Sequence, residues 1–368
     1  MKILHFSDTH LGYSEYHRVN TDTGLNQREQ DFYNAWQQVM QAIHTEKPDI
    51  VIHAGDLFHT PRPSNRAIRV ALESIRDLND AGIPLVLVSG NHETPRIRAT
   101  GSIFESIDLY PNVYTAFNSR YERFRINGVD FHCLPHCSLS EELEAALDAI
   151  DLQADSDANV MISHGAWSGK QLYGMGEFNE QRLPDVEGRL GRELDYIALG
   201  HYHRYSAVKP HVCYSGSTER TSLNEHNTRC GYIVLDLETK EHQFHEIDTR
   251  PMLKLESIDC SGLATPQIYD ELQATAATVP DGAIVQVSLV KLENDAFLKL
   301  DSRQIDELFS HAFTLEKHIS RKLLKSNSTH GSLQIESLSV EFARYLDHLN
   351  LEKSYLNELI KKAADYLE

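Results

Sequence analysis

Five short apolar runs in this 368-residue chain end in the same kinds of residue. "KILHFSDTH" ends in Asp8 and His10, and "DIVIHAGDLFH" ends in Asp56 and His59. "IPLVLVSGNHE" ends in Asn91, His92 and Glu93, "ANVMISHGA" carries His164, and "DYIALGHYH" ends in His201 and His203. Runs of four to six residues rich in Val, Ile and Leu read as buried strands. Helical patterns lie between some of them. "EQDFYNAWQQVMQAIHTEK" puts Phe32, Trp36, Val39, Met40 and Ile43 on one helical face. "SNRAIRVALESIRDLNDAG" does the same with Ile68, Ala71, Leu72, Ile75 and Leu78, and closes at Gly82. Strand, helix, strand with right-handed crossovers gives an α/β fold. Ligands of such folds bind beyond the carboxyl ends of the strands, so all five polar clusters are expected to meet there.

The residue types point to a metal. Gly55, Gly90, Gly165 and Gly200 let the backbone turn sharply beside the clusters. Asp, Asn and His offer oxygen and imidazole donors, and no cysteine lies among them. That set suits manganese, iron(II) or zinc. Two Asp, one Asn and several His are too many ligands for one ion, and two ions sharing a carboxylate fit better. A single His at a strand end is usually structural; five strand ends with the same chemistry are not explained that way.

Composition limits the alternatives. Hydrophobic content of 41% is ordinary for a globular protein. No apolar run approaches the roughly 18 residues of a membrane span. "MKILHFSDTH" lacks the apolar core of a signal peptide, so a cytoplasmic, non-secreted protein is expected, with no membrane partner. The five cysteines, an odd number in a long chain, fit a reducing compartment. "HCLPHC" groups His132, Cys133, His136 and Cys137 but has no second half at zinc-ligand spacing, and reads as a strand running into a loop. The net charge of -19 argues against nonspecific nucleic-acid binding. It does not exclude a nuclease, because bound cations change the local sign.

In chain order the motifs are Asp-x-His, Gly-Asp-x-x-His, Gly-Asn-His, an isolated His-Gly, and Gly-His-x-His. This series resembles the calcineurin-like metallophosphoesterase superfamily. More narrowly, "HFSDTHLGY", "QREQDFYNAW", "GDLFHTPRPS", "SGNHETPR", "GHYH" and "YSGSTERTS" resemble the SbcD-type DNA repair nucleases, the family of the meiotic recombination eleven nuclease. The resemblance covers residues 1 to about 250. It implies a β-sandwich flanked by helices, with a smaller α/β capping domain and a C-terminal helical segment. Asp8, His10 and His203 would hold one metal, Asn91, His164 and His201 a second, and Asp56 would bridge them. His92 would be the catalytic histidine, with His59 helping to place substrate. Glu93 departs mildly from the family, which more often has Asp there. "GNHE" also occurs in phosphoprotein phosphatases, but those carry Asp-Arg-Gly soon after the second-motif Asp, and here Leu57, Phe58, His59 and Thr60 follow Asp56.

The implied activity is a manganese-dependent 3′-to-5′ exonuclease, with endonuclease action on single strands and hairpins, using two manganese ions. The implied partners are DNA, an SMC-like coiled-coil ATPase of the SbcC type, and a second copy in a homodimer; in a prokaryote it would be nucleoid-associated. Tyr13, Arg18, Arg62, Arg66 and Arg96 are candidate DNA contacts, with Tyr16, His17, Arg69 and Arg98 beside them; solvated loop and helix charges are the alternative. After Cys230 a hairpin is expected around "LETKE". Residues 251–332 read as a separate α/β domain, either structural or a cap shaping DNA access. Within it "MLKLESID", "AIVQVSLVKL" and "HISRKLL" are the expected strands. Residues 333–368 read as helical, either packing on that domain or docking the ATPase. A phosphatase or phosphodiesterase acting on small molecules or phosphoproteins, and a non-catalytic scaffold, stay open as alternatives.

Overall fold

The computed structural model describes residues 1–153, 155–167 and 180–322. The chain divides into two compact units, Met1–Arg321 and Lys322–Glu368. The loop expected at 326–332 and the helical segment at 333–368 lie outside the described residues.

The apolar runs become the inner strands of two six-stranded sheets. In the first, the order is Glu241–Glu246, Gly231–Asp236, Lys2–Phe6, Ile50–His53, Leu85–Val88 and Val113–Ala116. Its last four strands are mutually parallel, and the expected hairpin supplies the antiparallel edge. In the second, the order is Ser206–Lys209, Val212–Tyr214, Tyr196–Gly200, Ala158–His164, Val129–Leu134 and Glu122–Ile126.

Alternation along each strand decides what each face touches. Ile3, Ile52 and Val86 from the first sheet meet Phe131, Ile162 and Ala198 from the second between the layers. Leu4, Phe6, Val51 and Leu87 point the other way, onto Trp36, Val39, Ile75 and Leu78 of two helices. Met161, Ile197 and Leu199 pack on Leu143, Leu147 and Val186 on the far side. The result is an α/β sandwich with helices on both outer faces. The helix Gln27–Glu46 starts where the Asn26 side chain accepts from the N–H groups of Arg28 and Glu29. The helix Asn65–Asp80 starts at Ser64, whose hydroxyl accepts from Ala67 N at 3.1 Å; such a cap contributes about 1 kcal/mol.

"HCLPHC" is structural, as read. His132 sits between the Tyr121 hydroxyl at 2.8 Å and Asn159 Oδ1 at 3.0 Å, and Cys133 is core.

Past Arg250 a four-stranded parallel sheet forms. Ile284–Leu292 is its centre, with Thr314–Arg321 on one side and Met252–Lys254 and Ile258–Asp259 on the other. Ile268, Leu272, Val287, Ile305 and Phe309 make its core with the helices Thr265–Ala276 and Ser302–Leu308. Three details depart from expectation: the last strand begins at Thr314, four residues before "HISRKLL". "MLKLESID" is two short strands, parted after Leu255 N makes its bond to the Gln286 carbonyl at 3.0 Å, and a short helix, Asn294–Lys299, follows the central strand. This smaller α/β region belongs to the same compact unit as the sandwich. It is fastened by Arg250, whose guanidinium grips Asp31 of the first long helix at 2.6 and 2.7 Å and donates to the Gly282 carbonyl at 2.7 Å. No helix among the described residues is long and apolar enough to cross a membrane.

Candidate metal centre

The five polar clusters converge, and the backbone is bent to make them do so. Asp8, His10, Asp56 and His201 all have positive φ, at 52°, 42°, 56° and 100°. Each such conformation costs of order 1 kcal/mol or more for a non-glycine residue. Hydrogen bonds between the strand ends hold it. Asp8 N donates to Gly55 O and His10 N to Asp56 O, both at 3.0 Å, and His201 N donates to Asp8 Oδ1 at 3.0 Å. Gly90 is needed for space: a Cβ there would run into the Asp56 carboxylate and lie 2.6 Å from Asp56 N.

Asp56 is central. Its Oδ2 is 3.3 Å from His164 Nε2 and 3.9 Å from both His10 Nε2 and His92 Nε2. On one side, His10 Nε2 and His203 Nε2 face each other at 3.0 Å beside Asp8. On the other, His164 Nε2 lies 3.1 Å from Asn91 Oδ1. Asp8, His10 and His203 form one buried group able to hold an ion, and Asp8, Asp56 and His164 form another. The His201 ring is 5.4 Å from that of His164, and its Nε2 is 3.3 Å from Glu180 Oε1. Two buried carboxylates, an amide oxygen and several imidazoles meet here with no thiol among them. The donor set therefore fits divalent cations.

The outward nitrogens of two histidines are fixed by acceptors. His164 Nδ1–H donates to the Ala54 carbonyl at 2.8 Å, and His203 Nδ1–H donates to Glu225 Oε1 at 2.7 Å. Both therefore aim Nε2 at the centre, where loss of its proton would free a lone pair for a cation. His92 is held similarly: its Nδ1–H donates to the His59 carbonyl at 2.9 Å, and its backbone N donates to Asp56 Oδ1 at 3.0 Å. Its side chain is 22% exposed against 2% for Asp56, so it borders the solvent side. The His59 ring lies tilted beside that of His92, with centroids 5.1 Å apart, and with His10 these two form a third, all-imidazole group.

The electrostatics follow the geometry. Burial alone would raise the Asp56 carboxyl, but His164, His92 and His10 hold it well below the usual range. Burial opposes charge on His164 and His203 too. Asp56 nonetheless lifts His164 to about 9, and Glu225 lifts His203 to about 9. His10 is held well below its usual value by burial. Glu93 is pushed up to about 8 by burial and by Asp56, while its Oε1 accepts from Gly90 N at 2.9 Å and Leu57 N at 3.3 Å. It thereby clamps the loops after the second and third strands together.

The candidate DNA contacts are scattered. Tyr13 is buried against Phe32 and His59, and its hydroxyl donates to the Thr221 carbonyl. Arg18 lies over the Phe313 ring, and Tyr16 donates to Glu316 at 3.2 Å, so this loop leans on the smaller sheet. Arg66 faces Glu29 at 3.6 Å and Arg69 pairs with Glu73 at 2.8 Å. His17, Arg62 and Arg96 are exposed, and the Arg98 side chain lies outside the description. Sequence reasoning missed Glu225 and Glu180. Each lies in a loop about 20 residues from the histidine it contacts, and no motif spacing marks it.

The family model described as calcineurin-like phosphoesterase matches residues 1–205. The DNA double-strand break repair protein Mre11 of Haloferax volcanii is 30% identical over 71% of this chain and 55% of that protein. The matched region thus spans about half the length of that relative. The SbcD component of the nuclease SbcCD from Staphylococcus epidermidis is 28% identical over 70% of this chain and 72% of that protein. Mre11 of Methanococcus maripaludis is 26% identical over 99% of this chain and 95% of that protein. A fold of this family implies a centre for two divalent ions, and the groups around Asp56 are candidates to hold them. The chain belongs to the calcineurin-like phosphoesterase family, with proteins named Mre11 and SbcD among its relatives.

Proposed function

We propose that this chain is a two-metal DNA nuclease of double-strand-break repair. The observation that carries the reading is the place of Asp56, between two buried ligand groups with His92 on the solvent side. Asp8, His10 and His203 would hold one ion, Asn91, His164 and His201 the other, and Asp56 both. Bound there, the ions would supply an acidified water and neutralise charge on a phosphoryl group.

The protein's own residues do the rest. Asp56 sets the separation of the two groups. His92, held by the His59 carbonyl, keeps Nε2 toward the centre. It would stabilise or protonate the leaving sugar oxygen, a contribution of roughly 10²–10⁴-fold. His59 orients His92 through that carbonyl and lines the substrate side. Manganese is the proposed ion, because the family resemblance implies it; the ligand types also admit iron(II) and zinc.

DNA enters through the relatives, which are named for double-strand break repair and as part of a nuclease. The activity is proposed to be 3′-to-5′ exonuclease and single-strand or hairpin endonuclease. The chain would work in the cytoplasm, as a homodimer, with an SMC-like ATPase of the SbcC type. Exposed Arg62 and Arg96 are the proposed phosphate contacts. The smaller α/β region is proposed to cap the centre. The rival reading, a phosphatase acting on small molecules or phosphoproteins, rests on the same centre and on the net charge of -19.

One experiment separates them. The purified chain with manganese is given end-labelled duplex DNA or a generic phosphomonoester, alongside Asp56→Ala and His92→Ala. Shortening of DNA from 3′ ends, lost in both variants, supports the nuclease. Turnover of the phosphomonoester without DNA cleavage overturns it.

A further inference from the structure

One carboxylate connects the metal centre to the smaller α/β region. Glu225 Oε1 accepts from His203 Nδ1–H at 2.7 Å and from the Thr221 hydroxyl at 3.0 Å, and its Oε2 accepts from Thr221 N at 2.7 Å. The Thr221 carbonyl in turn takes the hydroxyl of Tyr13. Two residues before Glu225, in the same short turn, Leu223 is buried with Met252, Ile284 and Phe313, all residues of the smaller region. Lys254 on its first strand reaches Asn224 Oδ1 at 2.9 Å. Three consecutive residues thus span from the smaller sheet to an imidazole of the centre.

We propose that Glu225 is a positioning residue that orients His203 for its metal ion, and that the smaller α/β region sets the place of Glu225 through Leu223. The proposal rests on the two-metal reading above. A carboxylate behind a metal-binding histidine fixes its tautomer and ring angle and raises its basicity, and losing one typically weakens metal affinity about 10- to 100-fold. Here the carboxylate is itself held by a turn whose only deep apolar side chain is seated in another sheet. A shift of that sheet would therefore reach one of the two ion sites and spare the other, because His164 is oriented by the Ala54 carbonyl inside the sandwich.

The test is manganese binding by titration calorimetry on the full chain, with thermal unfolding recorded beside it. Wild type is expected to bind two ions. Glu225→Ala should weaken one site about 10- to 100-fold and leave the second unchanged. Glu225→Gln, which keeps an acceptor for Nδ1–H, should recover part of that loss. Leu223→Ala should weaken the same site although it touches no ligand. If Glu225→Ala fails to fold, the Gln and Leu223→Ala variants still decide the matter. Two ions in wild type with unchanged affinities in the variants overturn this inference alone. Fewer than two ions in wild type overturn the two-metal reading and this inference with it.

Discussion

The sandwich and the smaller sheet both have parallel strands at their centre backed by helices, yet among the described residues the candidate centre lies in the sandwich. Among the described residues, every His, Cys, Asp and Glu group close enough to hold an ion lies at the sandwich edge. The difference is visible in what each region does with left-handed backbone. In the sandwich it bends Asp8, His10, Asp56 and His201 toward one point. In the smaller sheet, Lys291 has a φ of 59° at a strand irregularity, and its ammonium merely meets Asp259 at the surface, 2.6 Å away. His318 there bonds to the neutral Gln286 across the ladder at 2.9 Å. The α/β framework offers an edge; strand-end residues held in costly conformations turn that edge into a site.

The contrast breaks most sharply at its two carboxylates. Asp56→Ala should remove DNA cleavage by more than the roughly 10²–10⁴-fold of a lost general acid, with loss of bound metal. Asp259→Ala in the smaller sheet should leave the rate unchanged. Equal rates for wild type and Asp56→Ala in a nuclease assay with metal analysis would erase the distinction. Next in size is His92→Ala, expected to lower the cleavage rate about 10²–10⁴-fold while both ions stay bound; metal content measured with the rate checks both halves.

The candidate ligands are legible in the sequence because strand, glycine and polar residue are close together in the chain. His164 ends its strand, and Asp8, Asp56, Asn91, His201 and His203 come within three residues of the ends of theirs. What supports them was not legible, since Glu225 and Glu180 reach their histidines across loops. Tyr13 follows the first motif and reads as substrate-facing, but its ring completes the packing on Phe32. The helix Asn294–Lys299 escaped because only Ala296 among its residues is buried, too little for a periodic signal.

Acid should weaken the sandwich. His5 and His53 are fully buried, and burial lowers each to about 3. In the unfolded chain they titrate near 6.5, so the unfolded state binds more protons below that pH. The stability is complete above about 6.5 and falls as pH drops toward 3, by up to about 1.4 kcal/mol per pH unit for each histidine. Glu93, raised to about 8, pulls the other way over the same range, so denaturant midpoints at pH 7.5 and 5 are compared in Glu93→Gln, where an unchanged midpoint would count against neutral, buried imidazoles.

The smallest effect compares two glycines. Gly262, in the smaller region, has a φ of 72° and open space where a Cβ would stand. Gly262→Ala should cost only the left-handed backbone, about 1–2 kcal/mol, with metal binding intact. Gly90→Ala should lower the thermal midpoint further and weaken metal binding, because its Cβ displaces Asp56.

The central claim is that Asp56 joins two ion sites, and anomalous diffraction from manganese-soaked crystals tests it most directly. Two peaks are expected, both in contact with Asp56, one beside His10 and His203 and the other beside Asn91 and His164. A single peak, or two that do not share Asp56, would contradict it.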